Sequence, residues 1–235
     1  MIKAACLAFA TTVFAASAPA GAAPSAPDDT AIMTALFRND GEGFTPPASN
    51  QALQALLARR PALSFLEACG VGDTAEIARQ LKRDPKLAVS WTRFGWSALH
   101  LAAFSGVPAA VQLVLDRGAA LDARARTKFK NTPLQAALLA GQLATARLLL
   151  ERGTDPLVRQ AHGFTPLHEA AFHGRRDLVD LLLAAGAELD SRADDGRTAL
   201  TEAVRGKHAE LADYLRSKGA RGAEAAADLQ ATPRD

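Results

Sequence analysis

Cysteine is nearly absent. Two of the 235 residues are cysteine, Cys6 and Cys69, which excludes a disulfide-dense scaffold. Aromatic residues make up only 6% of the chain, so a place where they gather carries information. Neither sign of charge dominates. Lys and Arg number 27 against 25 Asp and Glu, a formal net charge of +2, too even for a chain that covers nucleic acid with its whole surface. No G-x-S-x-G string, phosphate-cradling P-loop or C-x-x-C pair occurs, so the usual sequence marks of nucleophilic, nucleotide and thiol-redox chemistry are missing. What is present is apolar residue, 49% against 22% charged, enough to bury a core in one large domain or two small ones.

The chain opens on an uncharged apolar run. After Lys3, residues Ala4 to Ala16 carry no charge, too short for a membrane span, which needs about 20 residues, and suited to the apolar region of a secretory signal peptide. The small-x-small sites that follow favour cleavage after Ala20 or Ala22. The expected organisation is a signal peptide at 1–20, a linker at 21–48 with a candidate short helix around Ile32–Phe37, a helical domain at 49–221 and a flexible tail at 222–235. The expected location is periplasmic or secreted, in the style of bacterial export, with no membrane span in the mature chain. Cys6 leaves with the peptide. Cys69 stays alone, with neighbours Leu66 and Ala68 that read as a packed helix.

The body repeats. Gly95-Trp96-Ser97-Ala98-Leu99-His100, Lys130-Asn131-Thr132-Pro133-Leu134-Gln135, Gly163-Phe164-Thr165-Pro166-Leu167-His168 and Gly196-Arg197-Thr198-Ala199-Leu200-Thr201 align, with the leucines 35, 33 and 33 residues apart. Each is followed by a second apolar segment that closes on Gly118, Gly153, Gly186 or Gly219. Ser or Thr before the leucine can cap a helix through its hydroxyl. Pro133 and Pro166 then occupy the first helical position, where a missing N–H costs nothing. The last copy carries Lys207 where the others have glycine, beside Gly206.

These residues resemble the ankyrin repeat, whose signature Thr165-Pro166-Leu167-His168-Glu169-Ala170 reproduces in full. The resemblance covers about Ser64 to Ala220. It implies an all-α solenoid of helix-turn-helix units joined by hairpin-like loops. There are four motif-bearing repeats, a degenerate one from Phe65 to Leu81, and a capping helix from Gln51 to Arg60. Glu210, Asp213, Arg216 and Lys218 mark the last helix as a solvent-facing end. The motif histidines His100 and His168 are implied to bond backbone between repeats. His168 and His173, five apart, fall about 140° apart on a helix, so a shared metal is not expected.

The resemblance implies a non-catalytic protein-interaction surface made of loop tips and inner helix faces. The tip positions hold Arg93, Phe94 and Trp96; Lys128, Phe129 and Asn131; His162 and Phe164; and Arg197, beside Asp194 and Asp195. The helix positions hold Phe104, Phe172, His173 and Arg205. Arg124, Arg159 and Arg192 recur at repeat exits, and Arg126 lies in a basic loop with two extra residues. Arginine and aromatics are the side chains enriched in binding hot spots. The reading is a monomer that docks an acidic protein segment with apolar anchors. The bland alternative has the aromatics packing between repeats while the arginines solvate a surface. No enzyme activity, cofactor, metal or nucleic acid is expected. The alternative class is a stress or redox accessory factor acting through Cys69 or a metal.

Overall fold

A computed structural model describes residues 31–36, 50–59 and 62–222. The signal peptide, most of the linker and nearly all of the tail lie outside them. The described residues form twelve α-helices and no strand, with one isolated antiparallel bridge, Trp91 to Ser97. They fall into two compact units, one up to Leu148 and one from Leu149.

The first unit contains α1 (Ala31–Leu36), α2 (Gln51–Leu57), α3 (Phe65–Val71), α4 (Thr74–Arg83), α5 (Ala98–Ser105), α6 (Pro108–Leu115), α7 (Pro133–Leu139) and most of α8 (Leu143–Glu151). Ser64, Ser97 and Thr132 cap α3, α5 and α7, each in a reciprocal capping box, satisfying helix-end donors that otherwise have no partner. The first helices of successive pairs pack on one another, α3 against α5 and α5 against α7. Ala102, Ala103, Ala136 and Ala137 are buried along these contacts, where small side chains let helices approach. Leu99, Leu101, Phe104, Val111, Val114 and Leu134 fill the core at 0% exposure, each of these large side chains contributing roughly 1.5–3 kcal/mol by burial.

The N-terminal helices are part of this core. Ile32, Met33, Ala35 and Leu36 of α1 are buried. Asn50, the cap of α2, donates its side-chain amide to the Ala35 carbonyl at 2.7 Å. Gly70 sits inside α3 because Leu36 presses on it: a Cβ there would lie 2.7 Å from a Leu36 methyl. α1 begins 34 residues before α3, one repeat period, so a buried helix leads the series where the sequence suggests a linker segment. The capping helix that the sequence runs to Arg60 ends at Leu57.

The second unit takes the end of α8 and then α9 (Pro166–Phe172), α10 (Arg176–Ala184), α11 (Ala199–Arg205) and α12 (Ala209–Ser217). α9 packs on α10 and α11, and α11 on α12. Leu167, Leu178, Val179, Leu182, Ala203 and Leu215 are almost fully buried. Lys207 takes φ +63 after α11, the left-handed conformation that glycine takes elsewhere at this register, so a change of residue leaves the helix end intact at some conformational cost.

Within each unit the motif histidine latches one repeat to the next. His100 Nδ1 accepts from the Ser97 N–H at 3.3 Å, which leaves Nε2 to donate to the Asn131 carbonyl at 2.9 Å. In the second unit His168 does the same, accepting from Thr165 N–H at 3.2 Å and donating to Arg197 O at 3.0 Å. Burial lowers the pKa of His100 to about 4 and that of His168 in the same direction, so both latches work as neutral imidazoles.

Candidate binding surface on the hairpin tips

Each motif is preceded by a hairpin closed by one backbone bond: Thr92 N–H to Trp96 O at 2.7 Å, Ala125 to Asn131 at 2.8 Å, Gln160 to Phe164 at 2.9 Å and Ala193 to Arg197 at 2.8 Å. Three residues lie inside the first, third and fourth loops, and five, Arg126 to Lys130, inside the second. Lys130 (φ +55) stands in register with Gly95, Gly163 and Gly196. Phe129 and Lys128 therefore match Phe94 and Arg93, and Arg126-Thr127 is the inserted pair.

In the first unit the tips display cations laid on rings. Arg93 lies over Phe94 at 4.5 Å, Lys128 over Phe129 at 5.0 Å and Arg126 over Trp91 at 4.1 Å. Arg93, Arg124, Arg126, Lys128 and Lys130 are exposed, while Phe94, Phe129 and Trp91 are half-buried. No Asp or Glu occurs from Pro85 to Leu115 or from Ala123 to Leu150. Trp91 and Lys130 belong to this surface and were not singled out among the sequence candidates. Trp91 is in register with the arginine positions Arg124, Arg159 and Arg192, so an arginine row hides it.

Three sequence candidates do not present their side chains to a partner. Trp96 is 2% exposed, and its ring packs on His100 and Phe104 with centroids 5.7 and 6.0 Å away. Phe104 is 0% and Asn131 4% exposed. The physical reason for two of them is shared: the carbonyls of Trp96 and Asn131 close their hairpins, which sets both residues beneath the tips. Phe104 is buried in α5 with its ring edge-on to that of Trp96. For these three, packing is the role that the structure assigns.

In the second unit three of the corresponding arginines, Arg159, Arg197 and Arg205, meet carboxylates of the same unit. Arg197 lies over Phe164 at 4.5 Å and also binds Asp195 at 2.6 Å and Glu202 at 2.8 Å. Arg205 lies over Phe172 at 5.2 Å and binds Glu202 at 3.0 Å. Arg159 reaches Asp194 at 3.5 Å and donates to the Arg192 carbonyl at 2.7 Å. Arg192 donates weakly to Gly196 O at 3.4 Å. His162 is exposed at φ +64. His173 is half-buried and bonded to Glu169 at 3.0 Å. Burial lowers its pKa, but the Glu169 carboxylate outweighs that and leaves it raised.

Cys69 is fully buried in α3, and burial pushes its thiol well up from the usual range, so it offers no accessible thiolate for redox chemistry. Among the described residues, no three of His, Cys, Asp and Glu gather as a metal site, and no helix is long and apolar enough to cross a membrane.

Helix pairs capped by Ser or Thr, joined by short hairpins and latched by buried histidines, define an all-α repeat protein whose exposed chemistry sits on its loops. A family model described as ankyrin repeats (3 copies) matches residues 65–160 and again 155–225, and the chain belongs to the ankyrin-repeat family. Ankyrin repeats in general mediate protein–protein interaction without catalysis. The chain is also similar to the transient receptor potential cation channel subfamily A member 1 homolog of Caenorhabditis elegans, 39% identical over 82 residues, which is 35% of this chain and 7% of that protein. The chain thus spans a small part of the curated relative it matches.

Proposed function

We propose that this chain is a non-catalytic binding module that docks an acidic segment of a partner protein on its hairpin tips and the groove beside them, as a monomer and after export. The observation that carries the reading is the first unit's pair of tips, where five cations are exposed, three of them on aromatic rings, and the loop residues themselves include no acid. Such a surface attracts carboxylates by charge, and its rings offer apolar contact. Replacing Arg124, Lys128 and Phe129 together by Ala should abolish binding of an acidic peptide and leave the melting temperature unchanged. The binding is titrated with salt beside duplex DNA, which should bind more weakly and with a steeper salt dependence. Unchanged peptide binding by the triple variant overturns the assignment to the tips. The export part rests on Lys3 and the uncharged run to Ala16. A secreted chain beginning at Gly21 or Ala23 by mass supports it, and a chain that keeps Met1–Ala16 in the cytoplasm refutes it.

A further inference from the structure

Arg126 and Thr127, the pair by which the second loop exceeds its counterparts, tie two tips together. The Arg126 N–H donates to the Gly95 carbonyl at 2.8 Å. The approach is close enough that a Cβ on Gly95, which has φ +87, would lie 2.8 Å from the Arg126 carbonyl, so glycine is required there for both space and conformation. The Thr127 hydroxyl accepts from Phe129 N–H at 3.3 Å, and the Thr127 carbonyl from Lys130 N–H at 3.3 Å, which shapes the enlarged loop. Arg126 is thereby carried back over Trp91 of the preceding hairpin, 4.1 Å from its ring centre.

The second unit contains the same arrangement with a carboxylate already seated. Arg197 lies over Phe164, its Nε donates to Asp195 at 2.7 Å, and its remaining edge takes Glu202 at 2.8 Å. Stacking occupies the flat face of a guanidinium and leaves the in-plane N–H edges for bidentate bonds to a carboxylate. On the first unit's two tips no loop residue stands where Asp195 does, since neither 93–95 nor 126–130 includes an acid.

We propose that Arg126, held on Trp91 by the Arg126-Thr127 insertion, is the receptor for one Asp or Glu side chain of the partner segment, which takes the place that Asp195 fills beside Arg197. Arg93 and Lys128 add positive charge on the same two tips, so carboxylates next to that residue are favoured as well. This rests on the proposed function above and names the group at its centre.

The test uses the full chain and a fluorescein-labelled short poly-glutamate peptide, read by anisotropy. Arg126→Ala, and deletion of Arg126 with Thr127, should each weaken binding about tenfold. Arg126→Lys should restore only part of it, since an ammonium keeps the charge but lacks the planar fork. Arg117→Ala removes the same charge from an exposed position beyond α6 and should change affinity less than about twofold, the salt-screened effect of one distant charge. If Arg126→Ala and Arg117→Ala weaken binding equally, the tips act by net charge and the Arg126 assignment is wrong, while the acidic-segment reading stands. If the unaltered chain binds no poly-glutamate, both fall. Should the deletion fail to fold, the two point substitutions at Arg126, which remove no backbone bond, decide the matter.

Discussion

At the two tip positions six and five residues before the motif leucine, the first unit carries Arg93-Phe94 and Lys128-Phe129, and the second Ala161-His162 and Asp194-Asp195. The stacking partners persist across this change: Arg126 on Trp91 in one unit, Arg197 on Phe164 and Arg205 on Phe172 in the other. What differs is the counter-charge. In the second unit Asp195 and the nearly buried Glu202 hold the arginines, so the cation–ring pair is part of the fold. In the first unit no acid occurs on the tips, and the same pair is left to meet something else. Arginine on an aromatic therefore does not by itself separate the two units; the absence of an acid on the loop does, and the proposed binding follows from that difference.

The sharpest way to break this comparison is to remove the counter-charge. Glu202 is 3% exposed and binds Arg197 and Arg205. Glu202→Ala takes the shared carboxylate from two partly buried guanidinium groups, and should cost about 3 kcal/mol, read by urea denaturation. Lys128→Ala on the first unit's tip should change stability by less than about 0.5 kcal/mol. Equal costs would mean that both sets of charges are structural.

The histidine latches give an effect of similar size with a defined pH window. Burial holds the pKa of His100 at about 4 against 6.5 when unfolded. Between those values the unfolded chain binds the extra proton, so stability is full above about pH 6.5 and falls as pH drops toward 4, by up to roughly 3 kcal/mol. His168 adds a loss of the same sign. His173 runs the other way: its raised pKa favours the folded chain below 6.5, and that contribution is lost as pH rises through the folded value. His100→Asn should flatten the acid limb of the stability curve. A curve as steep as before would show that the latch is not the titrating group.

Much of this was legible in the sequence. The leucine period, the Ser or Thr caps and the terminal glycines gave the fold class, because local capping chemistry and a fixed period act together. The histidine latch followed from the resemblance. The basic loop and its two extra residues were visible, but which two were extra was not, since the hairpin bond from Ala125 to Asn131 is needed to set the register. α1 was visible as a short helix but not as part of the core, because its Leu36 meets Gly70 of α3 only through packing. Trp96 and Phe104 read as binding residues because hydropathy does not separate a ring above a hairpin from one beneath it. The pairing of Arg197 with Glu202 needs the turn between them, and spacing alone does not reveal it.

The smallest expected effect sharpens the comparison most. Asp195 is half-exposed and hydrogen-bonded to Arg197, whose guanidinium holds its carboxyl below the usual range. As a surface pair it should contribute only about 0.5 kcal/mol to stability, so Asp195→Ala should scarcely move the denaturation midpoint. It does clear one edge of a ring-stacked arginine while Glu202 keeps the other. If a vacant guanidinium edge on an aromatic is what captures a carboxylate, this variant should bind poly-glutamate roughly twofold to threefold tighter than the unaltered chain, a gain in proportion to one exposed ion pair. Adding Arg126→Ala should remove the affinity of the first unit's tips and leave the new increment. An Asp195→Ala chain with unchanged affinity would separate the two units by something other than counter-charge, and the inserted loop itself would then be the feature to dissect.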